Sequence, residues 1–134
     1  MSGLVLKLSP KERVLVNGAI IENGDRRSRL SIVTPGANIL RLKDAIHPED
    51  AKTPVRRVCY AVQMVLSGDS DPAEVDLTLK RQIEDLGAMF DDPECADVLS
   101  DAAEYLTDGQ HYKCLRSLRQ LIALEDAMAA RDLI

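Results

Sequence analysis

The sequence predicts an α+β fold, a small antiparallel β-meander or open barrel followed by a four-helix antiparallel bundle, and three observations carry that prediction. Apolar residues alternate singly through roughly the first forty positions. Turn pairs, Asn17-Gly18 and Asn23-Gly24, fall inside that region. Beyond Ala45 the apolar spacing lengthens to about 3.6, with three helix starts marked by proline.

Leu4, Leu6 and Leu8 alternate with Val5 and Lys7, the period of a strand with one buried face. Val14-Leu15-Val16 leads into Asn17-Gly18 and then Ala19-Ile20-Ile21. That placement predicts a hairpin, because a type I′ turn needs positive φ at both central residues. Asn23-Gly24-Asp25 predicts a second hairpin turn into Leu30-Ser31-Ile32-Val33, and Thr34-Pro35-Gly36-Ala37 turns the chain into a last strand, Asn38-Ile39-Leu40-Arg41-Leu42. Residues 3–43 therefore read as four or five short strands.

Thr53-Pro54, Asp71-Pro72 and Asp92-Pro93 each place a capping side chain before a proline at the first helical position, where the missing N–H costs no helical hydrogen bond. Val55, Val58, Cys59, Val62, Val65 and Leu66 form the first stripe, ended by Ser67-Gly68. Val75, Leu79, Ile83 and Leu86 form the second; Cys95, Val98, Leu99, Ala102, Tyr105 and Leu106 form the third, closed by Asp108-Gly109. A fourth runs from His111 to about Arg131 through Leu115, Leu118, Leu121, Ile122 and Leu124. Residues 1–46 thus read as a β-rich basic part and residues 47–134 as an acidic helical part. The joint, His47-Pro48-Glu49-Asp50-Ala51, is too short to free them, so one cooperative unit is expected.

Charge separates the two parts. Residues 1–57 hold 11 Lys/Arg against 6 Asp/Glu, a balance of +5; residues 58–134 hold 6 against 16, a balance of −10. Such asymmetry suits either a polyanion-binding surface on the first part or an internal attraction between the halves. With no Trp and one Phe, aliphatic packing must hold the core. The start, MSGLVLKLSPKERV, has no signal-peptide pattern, and no apolar run approaches the ~20 residues of a membrane span, so a cytoplasmic protein with no membrane partner is expected.

Catalytic chemistry finds little to stand on. Cys59, Cys95 and Cys114 sit in apolar helical patterns and read as reduced, buried thiols. His47 and His111 lack partners at metal-ligand spacing, the glycines form no phosphate-binding loop, and the helical carboxylates fall on solvated faces. No enzyme, metal or cofactor is expected. The feature above this background is the cluster Arg26, Arg27 and Arg29, with Lys11, Arg13, Arg41 and Lys43 on neighbouring segments. Arginine's planar fork binds phosphate through paired hydrogen bonds, so these seven residues are the candidate RNA-binding set. A solvated turn that guards a sheet edge is the competing reading. All four aromatic residues lie in the helical part, so RNA contact would rest on phosphates rather than on base stacking.

The ordered pattern ERVLVNGAIIENGDRRSRLSI, continued by TPGANILRLKDAI, PEDA and TPVRRVCYAVQ, resembles the FlbT family along essentially the whole chain. That resemblance implies a bacterial regulator of flagellin synthesis that associates with the 5′ untranslated region of flagellin messenger RNA and represses expression by promoting its degradation. It also implies the helical protein FlaF, and flagellin itself, as protein partners, and no cofactor. The alternative is a protein-interaction module that binds flagellin or FlaF and affects the message indirectly. The overall acidity, with a pI near 5.0, favours the alternative, and the local arginine cluster favours RNA. A homodimer is left open.

Overall fold

The computed structural model describes residues 4–131 and is α+β, with strands first and helices after. Five strands, β1 (Leu4–Leu8), β2 (Arg13–Val16), β3 (Ala19–Glu22), β4 (Ser28–Ile32) and β5 (Ile39–Arg41), divide between two antiparallel sheets. One pairs β1 with β4; the other has the order β3-β2-β5. No barrel closes among the described residues.

The first hairpin forms as its turn chemistry requires. Asn17 (φ 47°) and Gly18 (φ 85°) both occupy the left-handed region between β2 and β3, and Asn17 further accepts the Asn38 N–H through Oδ1 at 2.9 Å, which helps seat β5 on the other side of β2. The expected second hairpin does not form. Asn23-Gly24-Asp25 instead begins a connection that leaves one sheet for the other, and β4 pairs with β1, setting Leu6 opposite Leu30 and Lys7 opposite Arg29. The physical reason is the apolar alternation: Leu4, Leu6 and Leu8 share one face with Leu30 and Ile32, so this pairing turns all five to the core, with Leu6 and Leu8 buried and Leu4, Leu30 and Ile32 partly buried against it. Local turn propensity carries no information about that longer-range match.

The three capped starts are all present. Thr53 Oγ1, Asp71 Oδ1 and Asp92 Oδ1 accept N–H groups of the first turns of α1 (Pro54–Leu66), α2 (Pro72–Met89) and α3 (Pro93–Thr107). Gly68 (φ 86°) and Gly109 (φ 73°) take left-handed conformations just past α1 and α3. The predicted fourth helix is broken into α4 (His111–Arg119) and α5 (Ile122–Ala130), and Leu124, expected in its stripe, is 37 % exposed. At the break, Gln120 and Leu121 donate to Ser117 and Leu118, bonds of three-residue span that tighten the turn.

The break aims Glu125 at the start of α1. This carboxylate is completely buried, accepts the Val55 N–H at 2.7 Å and the Thr53 hydroxyl, and has Arg56 3.6 Å away. A negative charge here meets the unsatisfied N–H groups and positive end of the helix dipole. Arg56 also forks onto Asp126 at 2.6 and 3.0 Å, tying α5 to α1 a second time.

The core is one aliphatic cluster drawn from both parts: Leu6, Leu8, Val14, Ile39 and Leu40 from the strands, and α1 residues such as Val58 and Val62 beside Leu79, Leu99 and Leu118. Between the parts, Gln63 of α1 receives the Ile46 N–H at 2.7 Å and donates to its carbonyl at 3.0 Å. That exchange satisfies a buried amide and holds the connector against the helix.

Candidate nucleic-acid interface

Seven basic residues were singled out by the sequence, and the fold separates them into two groups. Arg41 is in the first. Its Nε donates to Glu12 Oε2 at 2.6 Å, and its Nη2 donates to Glu12 Oε1 at 2.8 Å and to the Lys7 carbonyl at 2.6 Å. Glu12 is nearly enclosed, with 4 % of its side chain exposed, and also accepts the Ser9 N–H at 2.9 Å. The Arg41 hydrogen bonds hold the Glu12 carboxyl down at about 2, against the opposing effect of burial and with help from the Ser9 N–H. Lys43 Nζ stands 3.9 Å from the same carboxylate. Arg13 pairs with Glu22 at 2.8 Å and Lys11 with Asp25 at 2.9 Å, both at the surface.

The second group is Arg26, Arg27 and Arg29. All three are exposed, and none has an acidic partner among the described residues. Strand alternation explains the exposure of Arg29: with Leu6, Leu8 and Leu30 turned to the core, Lys7 and Arg29 face out from adjacent strands. Together with Arg27 they line a shallow recess whose remaining walls are Leu8, Ser9 and Ser28. Lys7 was missed by the sequence reading. The Leu4-Leu6-Leu8 alternation already turned its side chain outward, but only the β1–β4 register brings it beside Arg29.

The recess has a defined backbone because Asn23 holds it. Its Nδ2 donates to the carbonyls of Ser9 at 2.7 Å and Arg26 at 2.9 Å, while its Oδ1 accepts the Ser28 hydroxyl at 2.6 Å. Gly24 contributes its carbonyl to the Lys11 N–H at 2.9 Å. One asparagine thus ties the arginine segment to the β1–β2 turn. The resulting strip presents one ammonium and three guanidinium groups with their donors unengaged by carboxylates, an arrangement that attracts phosphates at short range and concentrates polyanions at longer range.

Other features sort away from this strip. Cys59, Cys95 and Cys114 are free and buried; burial pushes the Cys59 and Cys114 thiols up to about 12 and raises Cys95 as well, which makes all three poor nucleophiles. His111 is buried with Nε2 2.9 Å from Asp76, and no group of three potential metal ligands occurs among the described residues. Among those residues, no helix is long and apolar enough to cross a membrane.

Fold and strip together define a class: a small α+β protein that displays unpaired positive charge on an exposed two-stranded sheet while its net charge remains negative. Residues 4–129 match the family described as Flagellar protein FlbT. The chain belongs to the FlbT family. It is 34 % identical over 128 residues to the probable flagellum biosynthesis repressor protein FlbT of Rhodopseudomonas palustris (strain TIE-1), covering 96 % of this chain and 98 % of that one. The similarly named protein of Caulobacter sp. (strain K31) is 32 % identical over 92 % of this chain and 93 % of its own. The flagellum biosynthesis repressor protein FlbT of Caulobacter vibrioides is 28 % identical over 92 % of this chain and 86 % of its own. No solved structure matches.

Proposed function

We propose that this protein regulates flagellum synthesis as a non-catalytic, post-transcriptional repressor, binding the 5′ untranslated leader of flagellin messenger RNA and promoting its degradation. The regulatory role in flagellar synthesis follows the naming of its relatives as flagellum biosynthesis repressors. The observation that carries direct RNA contact is the division of the basic residues: Arg41, Arg13 and Lys11 are engaged with carboxylates, whereas Arg27 and Arg29 line a recess with Lys7, Arg26 precedes them, and none of these arginines has such a partner among the described residues. In this reading those four cations touch the leader's phosphates, Lys43, Lys11 and Arg13 lie at the rim, and Arg41 supports β1 from behind.

Titration of labelled flagellin leader and a scrambled control at several salt concentrations tests the reading. Each cation withdrawn from single-stranded RNA lowers the slope of log K against log salt by about 0.7, so Lys7, Arg26, Arg27 and Arg29 changed together to Ala remove up to about 3. Leader-selective binding that keeps its slope in the folded variant would remove the strip from the mechanism. A second reading, a protein-interaction module for FlaF or flagellin, draws support from Val5 (53 % exposed) and Val33 (66 % exposed), apolar residues in and just beyond the β1–β4 pair. Wild-type protein that binds neither RNA selectively but retains FlaF or flagellin would favour that reading.

A further inference from the structure

β3 is one of the two edge strands of its sheet; the other, β5, has Ile39 and Leu40 buried, whereas all four residues of β3 are exposed. Ile20 is 64 % and Ile21 39 % exposed, on opposite faces: Ile21 stands beside the fully buried Val14, Ile20 beside Leu15. Sheet edges left open in a monomer usually carry charged side chains, proline or a bulge against self-pairing; β3, Ala-Ile-Ile-Glu, has one charge, Glu22, and that carboxylate is paired with Arg13 of β2 at 2.8 Å. The edge at β4 is different, since Arg26, Arg27 and Arg29 would meet their own copies there. The Lys7 carbonyl of β1 is already taken by Arg41.

Hairpin geometry determines which backbone groups of β3 are free. Across a two-residue turn, Val16 and Ala19 exchange hydrogen bonds, and alternation along an antiparallel ladder makes Val14 and Ile21 the next bonded pair. The Asn23 N–H donates to the Glu12 carbonyl at 2.8 Å, continuing the same phase. The N–H and C=O groups of Ile20 and Glu22 therefore point away from β2. These four groups are complementary to themselves. A second β3, antiparallel and related by a two-fold axis at Ile21, pairs Ile20 with Glu22 of the other copy on both sides of the axis. Ile21 then meets Ile21 at the closer, non-hydrogen-bonded spacing. No like charges face each other in this register, whereas a register centred on Glu22 would oppose two carboxylates.

We infer that β3 is an interface between two copies of this chain, which join their three-stranded sheets into one continuous sheet through an Ile21–Ile21 contact. Two four-residue strands bury less than the ~1,200 Å² typical of stable complexes, so the association is weak and depends on concentration.

Sedimentation equilibrium from about 5 to 500 µM measures the association, and two kinds of variant locate it. Ile21→Lys places two ammonium groups across the axis; once its fold is checked by circular dichroism, it is expected to weaken dimerisation at least about tenfold. Ile21→Cys is expected to form a disulfide-linked dimer under mild oxidation, whereas Glu22→Cys, offset from its own copy, is not; the three native cysteines are buried and serve as the wild-type control. A wild-type protein that stays monomeric to 500 µM overturns the inference, as does a dimer indifferent to Ile21→Lys or one in which Glu22→Cys cross-links as readily as Ile21→Cys.

Discussion

Replacing Glu12 by Gln removes the charge that Arg41 is built around. The carboxyl is held at about 2 instead of 4.5, a gap of about 2.5 units, and at about 1.36 kcal/mol per unit the charged form contributes about 3 kcal/mol at neutral pH. With 4 % of the Glu12 side chain and 16 % of the Arg41 side chain exposed, solvent screening takes little from that figure. Breaking a buried pair by removing one partner typically costs about 3–5 kcal/mol, which gives the same magnitude by another route. For a chain of 134 residues, an unfolding entropy of about 2.1 cal/mol/K per residue converts the loss to a Tm drop of roughly 10 °C. The sign with pH is fixed as well. Because the folded value is the lower one, the stabilisation is complete above about 4.5 and disappears as pH falls towards 2. Urea unfolding followed by far-ultraviolet circular dichroism, in the absence of any Trp, should therefore show a gap between wild type and Glu12→Gln that is constant near neutrality and closes in acid. Arg41→Met added to Glu12→Gln should recover about 1–3 kcal/mol relative to the sum of the single effects. A gap below about 1 kcal/mol at pH 7, or one that persists unchanged at pH 2.5, refutes the assignment of this pair as a structural strut.

Glu125→Gln should cost about 1–3 kcal/mol in the same assay, since a charge-assisted cap at the start of α1 becomes a neutral one, and hydrogen exchange should show the first turn of α1 opening more often. Gly18→Val should cost about 1–2 kcal/mol although nothing lies within 4 Å of the new Cβ, because the φ of 85° alone is unfavourable to a branched side chain; a neutral result in thermal unfolding removes that argument. Thiol labelling of the native protein at pH 8 should be slow at all three cysteines and become rapid in denaturant; fast native labelling of Cys59 or Cys114 contradicts their burial.

What the sequence made legible was local chemistry. Asn17-Gly18 and the three Thr/Asp-Pro starts specify their own conformations within a few residues, and each appears where its side chains require it. Strand pairing was not legible in the same way. Lys7 and Arg29 are brought together by a register that depends on the Leu6–Leu30 match, and the sequence around Asn23-Gly24 points equally well to a hairpin. Glu12 and Arg41 lie 29 positions apart, and the sequence marks Arg41 as a candidate RNA-binding cation; only the placing of β5 beside β2 turns it into the partner of Glu12. The break after Arg119 had no signal either, because Gln120 and Leu121 are good helix formers; what overrides them is the tertiary cap that Glu125 makes for α1.

That cap has a consequence for how the chain is made. Glu125 and Thr53 are separated by 72 positions, so during synthesis the Val55 N–H waits for α5 to leave the ribosome before it meets its carboxylate, while Thr53 caps Arg56 locally. A chain released early keeps the basic strip's local turns but lacks this closure. In such a chain the first turn of α1 opens more often, and proteolysis there follows that opening.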